Sequence, residues 1–317
     1  MPYPVSRSGN ELTVVLGMHR SGTSLTSHIL SLLGLDMADE ISPNESNARG
    51  HWERWEIVRL NSEVLQYLGQ DFYDPRHAQP LPRGWWTDPA IRRIRDRIVR
   101  WLDERMAGSP TFGLKEPRVA RLFPMWHEIF AHLGLRPRFV FCLRRPEAVA
   151  ASLAQRDKFP TSEGLYRWLV YNTELVNGIG DHPVTIIPYD TWFTDPLSNM
   201  RLLAEVAMRP DEDTPALRKL LGMALDPTLR HHDLAGTPQA TGVCAQVHDL
   251  LRAHARRAPL STEVRLAAHL CEGFSEILDP LQAEITRLGR GGETSGEEQS
   301  SSCNKVSHSG AKLEAAG

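Results

Sequence analysis

The chain has 317 residues, room for one large domain or two modest ones, and its 41% hydrophobic and 24% charged residues are ordinary for a globular protein. Lys and Arg number 36 against 39 Asp and Glu, a formal net charge of −3, which excludes a polycation drawn to nucleic acid by bulk charge. Any anion site must be built locally, from a few placed cations and backbone amides.

Residues 1–10 read as an N-terminal extension without the long apolar stretch of a signal peptide. Glu11–Gly17 (ELTVVLG) is a nearly continuous apolar run ending in glycine, the pattern of a strand buried on both faces. Thr23–Leu33 follows with Leu25, Ile29, Leu32 and Leu33 at helical spacing. Further short runs predict strands at Phe112–Leu114, Phe139–Leu143 and Val184–Ile187, separated by helices over about 88–107, 119–133, 146–156 and 162–179. Asp195-Pro196 predicts an N-cap and a first-turn proline opening a helix to about Met208. Residues 226–243 read as a long loop, and Ser261–Leu288 as a final helix interrupted by Pro280. From Gly289 onward the Gly/Ser/Glu-rich sequence reads as a disordered tail. Strands alternating with helices predict an α/β fold, P-loop-like, in three layers with a central parallel sheet, over residues 11–288.

The most informative segment is Gly17-Met-His-Arg-Ser-Gly-Thr-Ser24. It matches G-x-x-x-x-G-K-[ST], in which successive backbone N–H groups and a helix N-terminus converge on a phosphate, except that Thr23 replaces the lysine. The positive charge appears earlier, at Arg20. Arg20, Ser21, Gly22, Thr23 and Ser24 are therefore candidate phosphate ligands, poorly equipped for ATP hydrolysis. The Phe139–Leu143 run delivers Arg144-Arg145 where a nucleotide hydrolase puts a magnesium-holding aspartate. Arginines at a strand's C-terminal end suit a second anion, and Ser152, eight residues after Arg144, adds a hydroxyl. Two separate anion sites imply a nucleotide phosphorylated at two places.

These residues resemble the sulfotransferases that use 3′-phosphoadenosine 5′-phosphosulfate (PAPS). The Gly17–Ser24 loop is similar to their 5′-phosphosulfate loop, and Arg144-Arg-Pro-Glu-Ala-Val-Ala-Ala-Ser152 to their 3′-phosphate segment. Tyr189-Asp190 with Asp195-Pro196 resembles a further family stretch. Residues 47–53 (NARGHWE) and Lys115-Glu-Pro-Arg118 resemble elements of the bacterial, Golgi-type-like branches. The resemblance spans roughly residues 12–208; the adenine-side Arg-Lys-Gly stretch of cytosolic members has no clear match. It implies a PAPS donor, no metal, and a hydroxyl or amine acceptor that is a small molecule or a glycan, with nothing said about oligomeric state. It further implies Glu53 as general base, Lys115 and Arg20 as cations at the departing oxygen, and Arg144, Ser152 and Tyr189 in the donor site.

Each of these residues also has a plain structural reading. Thr23 and Ser24 suit a helix start, Glu53 the first turn of a helix, and Lys115, Arg118 and Arg145 a strand end. His51 is the alternative base. His19 reads as a filler inside the loop. Trp52, Trp55, Trp85, Trp86 and Trp168 read as core, with Trp85 and Trp86 the foremost candidates for an acceptor platform. His231-His232 lacks the partners of a metal site. The four cysteines (Cys142, Cys244, Cys271, Cys303) form neither a C-x-x-C pair nor a dense framework, which suits a reducing compartment and a cytoplasmic location. No window approaches the roughly 18 apolar residues of a membrane span. A kinase or nucleotide hydrolase with a degenerate loop, and a non-catalytic nucleotide-binding module, are the competing functions.

Overall fold

The computed structural model describes residues 11–38, 50–70, 79–109, 111–209, 214–225, 242–254, 259–265 and 268. The N-terminal extension, most of the 226–243 loop with His231 and His232, the final helix beyond residue 268 and the tail lie outside the described residues.

Four strands, β1 (Glu11–Leu16), β2 (Thr111–Lys115), β3 (Arg138–Leu143) and β4 (Val184–Pro188), form one sheet in the order β2-β1-β3-β4. Every pairing is parallel. The near-continuous apolar runs follow from burial on both sides. In β1, Leu12, Val14 and Leu16 enter one core while Val15 enters the other; in β3, Phe139, Phe141 and Leu143 alternate in the same way with Val140 and Cys142. Burial also pushes the Cys142 thiol up to about 12, so it is a packing residue rather than a nucleophile.

The first face is covered by α2 (Trp55–Tyr67), α3 (Pro89–Met106), α4 (Phe123–His132), α5 (Pro146–Asp157), α6 (Thr161–Ile179) and α10 (Val243–Ala253). The second face is covered by α1 (Thr23–Leu32), α8 (Pro196–Val206) and α9 (Thr214–Ala224), with Trp192 of the one-turn α7 (Thr191–Thr194). Helix, sheet, helix is the three-layer α/β arrangement expected from the sequence. The Asp195 cap is as the sequence signals it, and Asp88 forms a second of the same kind. Asp88 accepts from the Ala90 amide at 2.7 Å ahead of Pro89, and Asp195 from the Ser198 amide at 3.3 Å ahead of Pro196.

Helices α5 and α6 pack closely because Gly164 has no side chain. A Cβ there would sit 2.8 Å from Ala150 Cα and 2.9 Å from its Cβ, inside van der Waals contact. Gly164→Ala should therefore destabilise the fold by about 2 kcal/mol through overpacking. Gly222→Ala, on α9 with open space at the Cβ, should stabilise it by about 0.5–1 kcal/mol. Denaturant unfolding of both variants checks the contrast; equal shifts would contradict the close α5–α6 approach.

Candidate functional site

All four strands are parallel, so their C-terminal ends share one edge of the sheet, where ligands of open α/β sheets bind. That edge carries Gly17 after β1, Lys115 closing β2, Arg144 after β3 and Tyr189 after β4. The β1–α1 loop turns tightly. Gly17 (φ 132°), Arg20 (φ 68°) and Gly22 (φ 90°) all have positive φ, and only Arg20 of the three carries a Cβ into that region. At Gly17 a Cβ would lie 2.7 Å from the Cys142 carbonyl oxygen, and at Gly22 2.5 Å from the Tyr189 ring. Both glycines are thus required by approach as well as by conformation.

One group of side chains gathers around this loop. Arg20 Nε donates to Ser152 Oγ at 2.7 Å, Arg144 Nη1 donates to the Arg20 carbonyl at 2.8 Å, and the Arg144 guanidinium lies over the Tyr189 ring, 4.3 Å from its centroid. Trp168 Nε1 donates to the Arg144 carbonyl at 3.0 Å, and the Tyr189 amide donates to the Leu143 carbonyl at 2.7 Å. The positive φ of Arg20 has a local reason, since its reversed backbone presents the carbonyl to Arg144 and its side chain to Ser152. Burial, reinforced by the charges of Arg156 and Arg144, lowers Arg20 to about 10; burial also lowers Arg144. Cations so crowded and desolvated favour an anion among them. Arg156, one turn beyond Ser152 on α5, was not foreseen; its spacing of four from Ser152 is the signal that could have found it.

The second group adjoins the first through α1. Lys115 Nζ donates to Glu53 Oε1 at 2.5 Å, to the His51 carbonyl at 2.9 Å and to Ser24 Oγ at 3.4 Å; Ser24 Oγ in turn donates to the His51 carbonyl at 3.3 Å. Both members of the ion pair are nearly enclosed, with side chains 3% and 10% exposed. Burial, opposed by Glu53 and helped by Lys115, lowers His51 and so keeps its imidazole neutral near pH 7. The segment is pinned from behind by Arg54, 1% exposed, which donates to the Gly113 carbonyl at 3.1 Å and to the Asp36 carbonyl and carboxylate at 2.6 and 3.0 Å. It also stacks on Phe112 at 3.8 Å. Trp52, at φ 58°, stacks on His28 with ring centroids 5.1 Å apart.

Arg20, Ser24, Glu53, Lys115, Arg144, Ser152 and Tyr189 are thus drawn together at one edge, with Ser21 and Thr23 buried in the loop. Several sequence expectations change. Glu53 lies before α2, not in its first turn; the first-turn acid is Glu56, paired with Arg59. Arg145 pairs with Asp190 at 3.1 Å, and Arg118 with Glu116 at 2.7 Å. Trp85 is buried in the core and Trp86 packs half-buried against it, on a 3₁₀ turn that lies against α3, whereas Trp55 is 45% exposed beside His51. His19 meets the edge of Tyr171. Among the described residues no group of three or more His, Cys, Asp or Glu could hold a metal ion, and no helix is long and apolar enough to cross a membrane.

No protein-family model matches the chain, and no curated protein matches it. Among solved structures it is similar to the sulfotransferase domain of the Synechococcus PCC 7002 olefin synthase, at 16% identity and a TM-score of 0.42, over 85% of this chain and 97% of that one. It is also similar to the sulfotransferase domain from the curacin biosynthetic pathway, at 16% identity and a TM-score of 0.41, over 84% and 98%.

Removing one partner of an enclosed ion pair leaves an uncompensated charge. Lys115→Met should cost about 3–5 kcal/mol of stability, and Lys115→Met with Glu53→Gln much less than the two single changes added together. A double-mutant cycle by denaturant unfolding measures this; additive effects would show that the pair is not coupled.

Proposed function

We propose that the chain is a sulfotransferase that moves a sulfuryl group from PAPS to a hydroxyl or amine acceptor. The observation that carries this reading is the buried group Arg20, Arg144, Ser152 and Tyr189 around a phosphate-type loop that lacks its lysine, directly beside the Lys115–Glu53 pair. The close approach of Tyr189 to Gly22 and the desolvated arginines fit a donor carrying anions at two places. The Gly22, Thr23 and Ser24 amides, with Arg20, would hold the 5′-phosphosulfate; Arg144 and Ser152 would hold the 3′-phosphate. The bound donor supplies an activated sulfuryl group, which carries less negative charge than a phosphoryl group and needs no metal clamp.

Glu53 would take the acceptor's proton as the acceptor oxygen or nitrogen bonds to sulfur and the bond from sulfur to the phosphate oxygen breaks. The departing electron pair stays on that oxygen, beside Arg20 and Lys115. Proton uptake removes the charge of Glu53, which frees the Lys115 ammonium for the oxygen where negative charge is growing. The buried ion pair thus links the two halves of the reaction. The resemblance of Gly50–Glu53 and Lys115–Arg118 to the bacterial, Golgi-type-like branches favours a carbohydrate acceptor; the alternation of strands and helices favours a domain of residues 11–288, and the four widely spaced cysteines a cytoplasmic setting. The competing kinase reading would need Asp190 for magnesium, and that carboxylate is engaged by Arg145 at 3.1 Å.

Three outcomes are expected. Calorimetry should show 3′-phosphoadenosine 5′-phosphate bound much more tightly than AMP or ATP; equal affinity for AMP would remove the second anion site. Arg144→Ala should weaken that binding by about 2–3 kcal/mol and Ser152→Ala by about 1 kcal/mol. With labelled PAPS and an acceptor panel, Glu53→Gln should lower turnover roughly 100- to 10,000-fold while His51→Ala costs far less. The reverse pattern would make His51 the base.

A further inference from the structure

The stretch His51–Trp55 carries the proposed base, and each residue from His51 to Arg54 is accounted for by a contact inside the protein. The His51 carbonyl accepts from Lys115 Nζ at 2.9 Å and from Ser24 Oγ at 3.3 Å. Trp52 is 7% exposed and stacks on His28. Glu53 pairs with Lys115, and Arg54 is tied to Asp36, Gly113 and Phe112. Trp55 differs from all of these. It is 45% exposed, while every other tryptophan of the chain is buried or half-buried. As the first residue of α2 it occupies a position that any good helix former fills, and an indole left in water there forgoes the burial that its size offers. A single exposed apolar side chain is common on protein surfaces, so exposure by itself assigns nothing. Its place in the segment does.

Three observations tie the ring to the site. Arg54 has an extended backbone (φ −97°, ψ 109°) and sends its own side chain inward to Asp36 and Gly113. Its two neighbours, Glu53 and Trp55, therefore lie together on the opposite side of the segment. The Trp55 ring also meets the His51 imidazole edge to face, with centroids 6.3 Å apart, and the carbonyl of the same His51 is a partner of Lys115. Contacts thus run from the Lys115–Glu53 pair to the indole. Finally, the anchors at Lys115, Ser24 and Arg54 fix the backbone on which Trp55 stands, so little ordering is left to cost affinity when a ligand arrives.

An indole half open to water, next to Glu53, Lys115 and Ser24, offers one apolar face bordered by hydrogen-bonding groups. The ligand that matches has the same division, with C–H bonds on the face of a ring and hydroxyls around its rim, and that is a pyranose. A flat aromatic acceptor gains most from a slot closed on both of its faces. We propose that Trp55 is the acceptor platform, stacking under a pyranose ring so that one rim hydroxyl is presented to Glu53. This rests on the reading of Glu53 as the base of a sulfuryl transfer and narrows the acceptor of that reaction to sugars. The transfer itself is unchanged: the hydroxyl oxygen bonds to sulfur, its proton passes to Glu53, and the phosphate oxygen keeps the departing electron pair.

The exposed indole is its own reporter. Methyl β-glucopyranoside, methyl β-galactopyranoside and cellobiose are titrated into the protein loaded with 3′-phosphoadenosine 5′-phosphate. At least one should shift the tryptophan emission saturably to shorter wavelength, and Trp55→Phe should lose that shift. With labelled PAPS, Trp55→Ala should raise the KM for the best of these sugars about tenfold while kcat changes by less than about twofold, and Trp55→Phe should recover most of the KM. Donor affinity, measured by calorimetry, should stay the same in both variants. No emission change with any of the sugars, or an unmoved KM in Trp55→Ala, would overturn the proposal. So would a Trp55-dependent preference for phenol over all three sugars. A Trp55-dependent emission shift with no label transferred to any sugar would sink the sulfotransferase reading while supporting the sugar platform, so the two failures are distinguishable.

Discussion

A parallel sheet covered by apolar side chains on both faces leaves charge only one kind of place to go, the strand ends. Val14, Leu114, Phe141 and Ile186 fill one face, and Val15, Val140 and Ile187 the other, so a cation within the sheet would have no partner. Because all four strands run the same way, Lys115, Arg144 and the Arg20 loop emerge at the same edge. The crowding of positive charge there is a consequence of topology. What has to be explained is how the chain tolerates it.

Tolerance comes from neutral oxygens more than from acids. Arg144 uses the Arg20 carbonyl, Arg20 uses the Ser152 hydroxyl, and Lys115 uses the His51 carbonyl as well as Glu53. Neutral acceptors satisfy the N–H donors without cancelling the charge, so the region stays attractive to an anion. Burial first, then the charges of Arg156 and Arg144, lowers Arg20 to about 10. An anion bound between Arg20 and Arg144 would relieve it, which is why the proposed donor and the fold suit each other energetically. Acids take part too: Arg145 pairs with Asp190 and Arg156 with Asp157, while Glu53 pairs with Lys115 where the proposed chemistry moves a proton.

The backbone carries part of this load. Arg20 in a left-handed conformation is unfavourable by about 1–2 kcal/mol, and the two hydrogen bonds that its reversal makes possible offset that strain. Strain held by the surrounding structure is common where a site must be rigid before its ligand arrives.

The layers, the strands and the ends of several helices could be read from the sequence alone, since these depend on apolar period and on local signals such as Asp195-Pro196; α9 and α10 were not among them. The glycine frame of Gly17–Ser24 and the spacing from Arg144 to Ser152 were equally legible, because a loop and one helical stretch each present their residues locally. Tertiary structure decided what is made by residues far apart in the chain. Arg20 and Ser152 are 132 residues apart, and Lys115 and Glu53 are 62 apart. No period or motif encodes such pairings; they exist because strands distant in sequence end at a common edge. The same holds for Arg54 reaching back to Asp36 and Gly113, for Trp85 turning into the core with Trp86 against it, and for Glu116 meeting Asn61 across 55 residues. Local sequence set which side chains could bind an anion or a proton; the parallel sheet decided which of them meet.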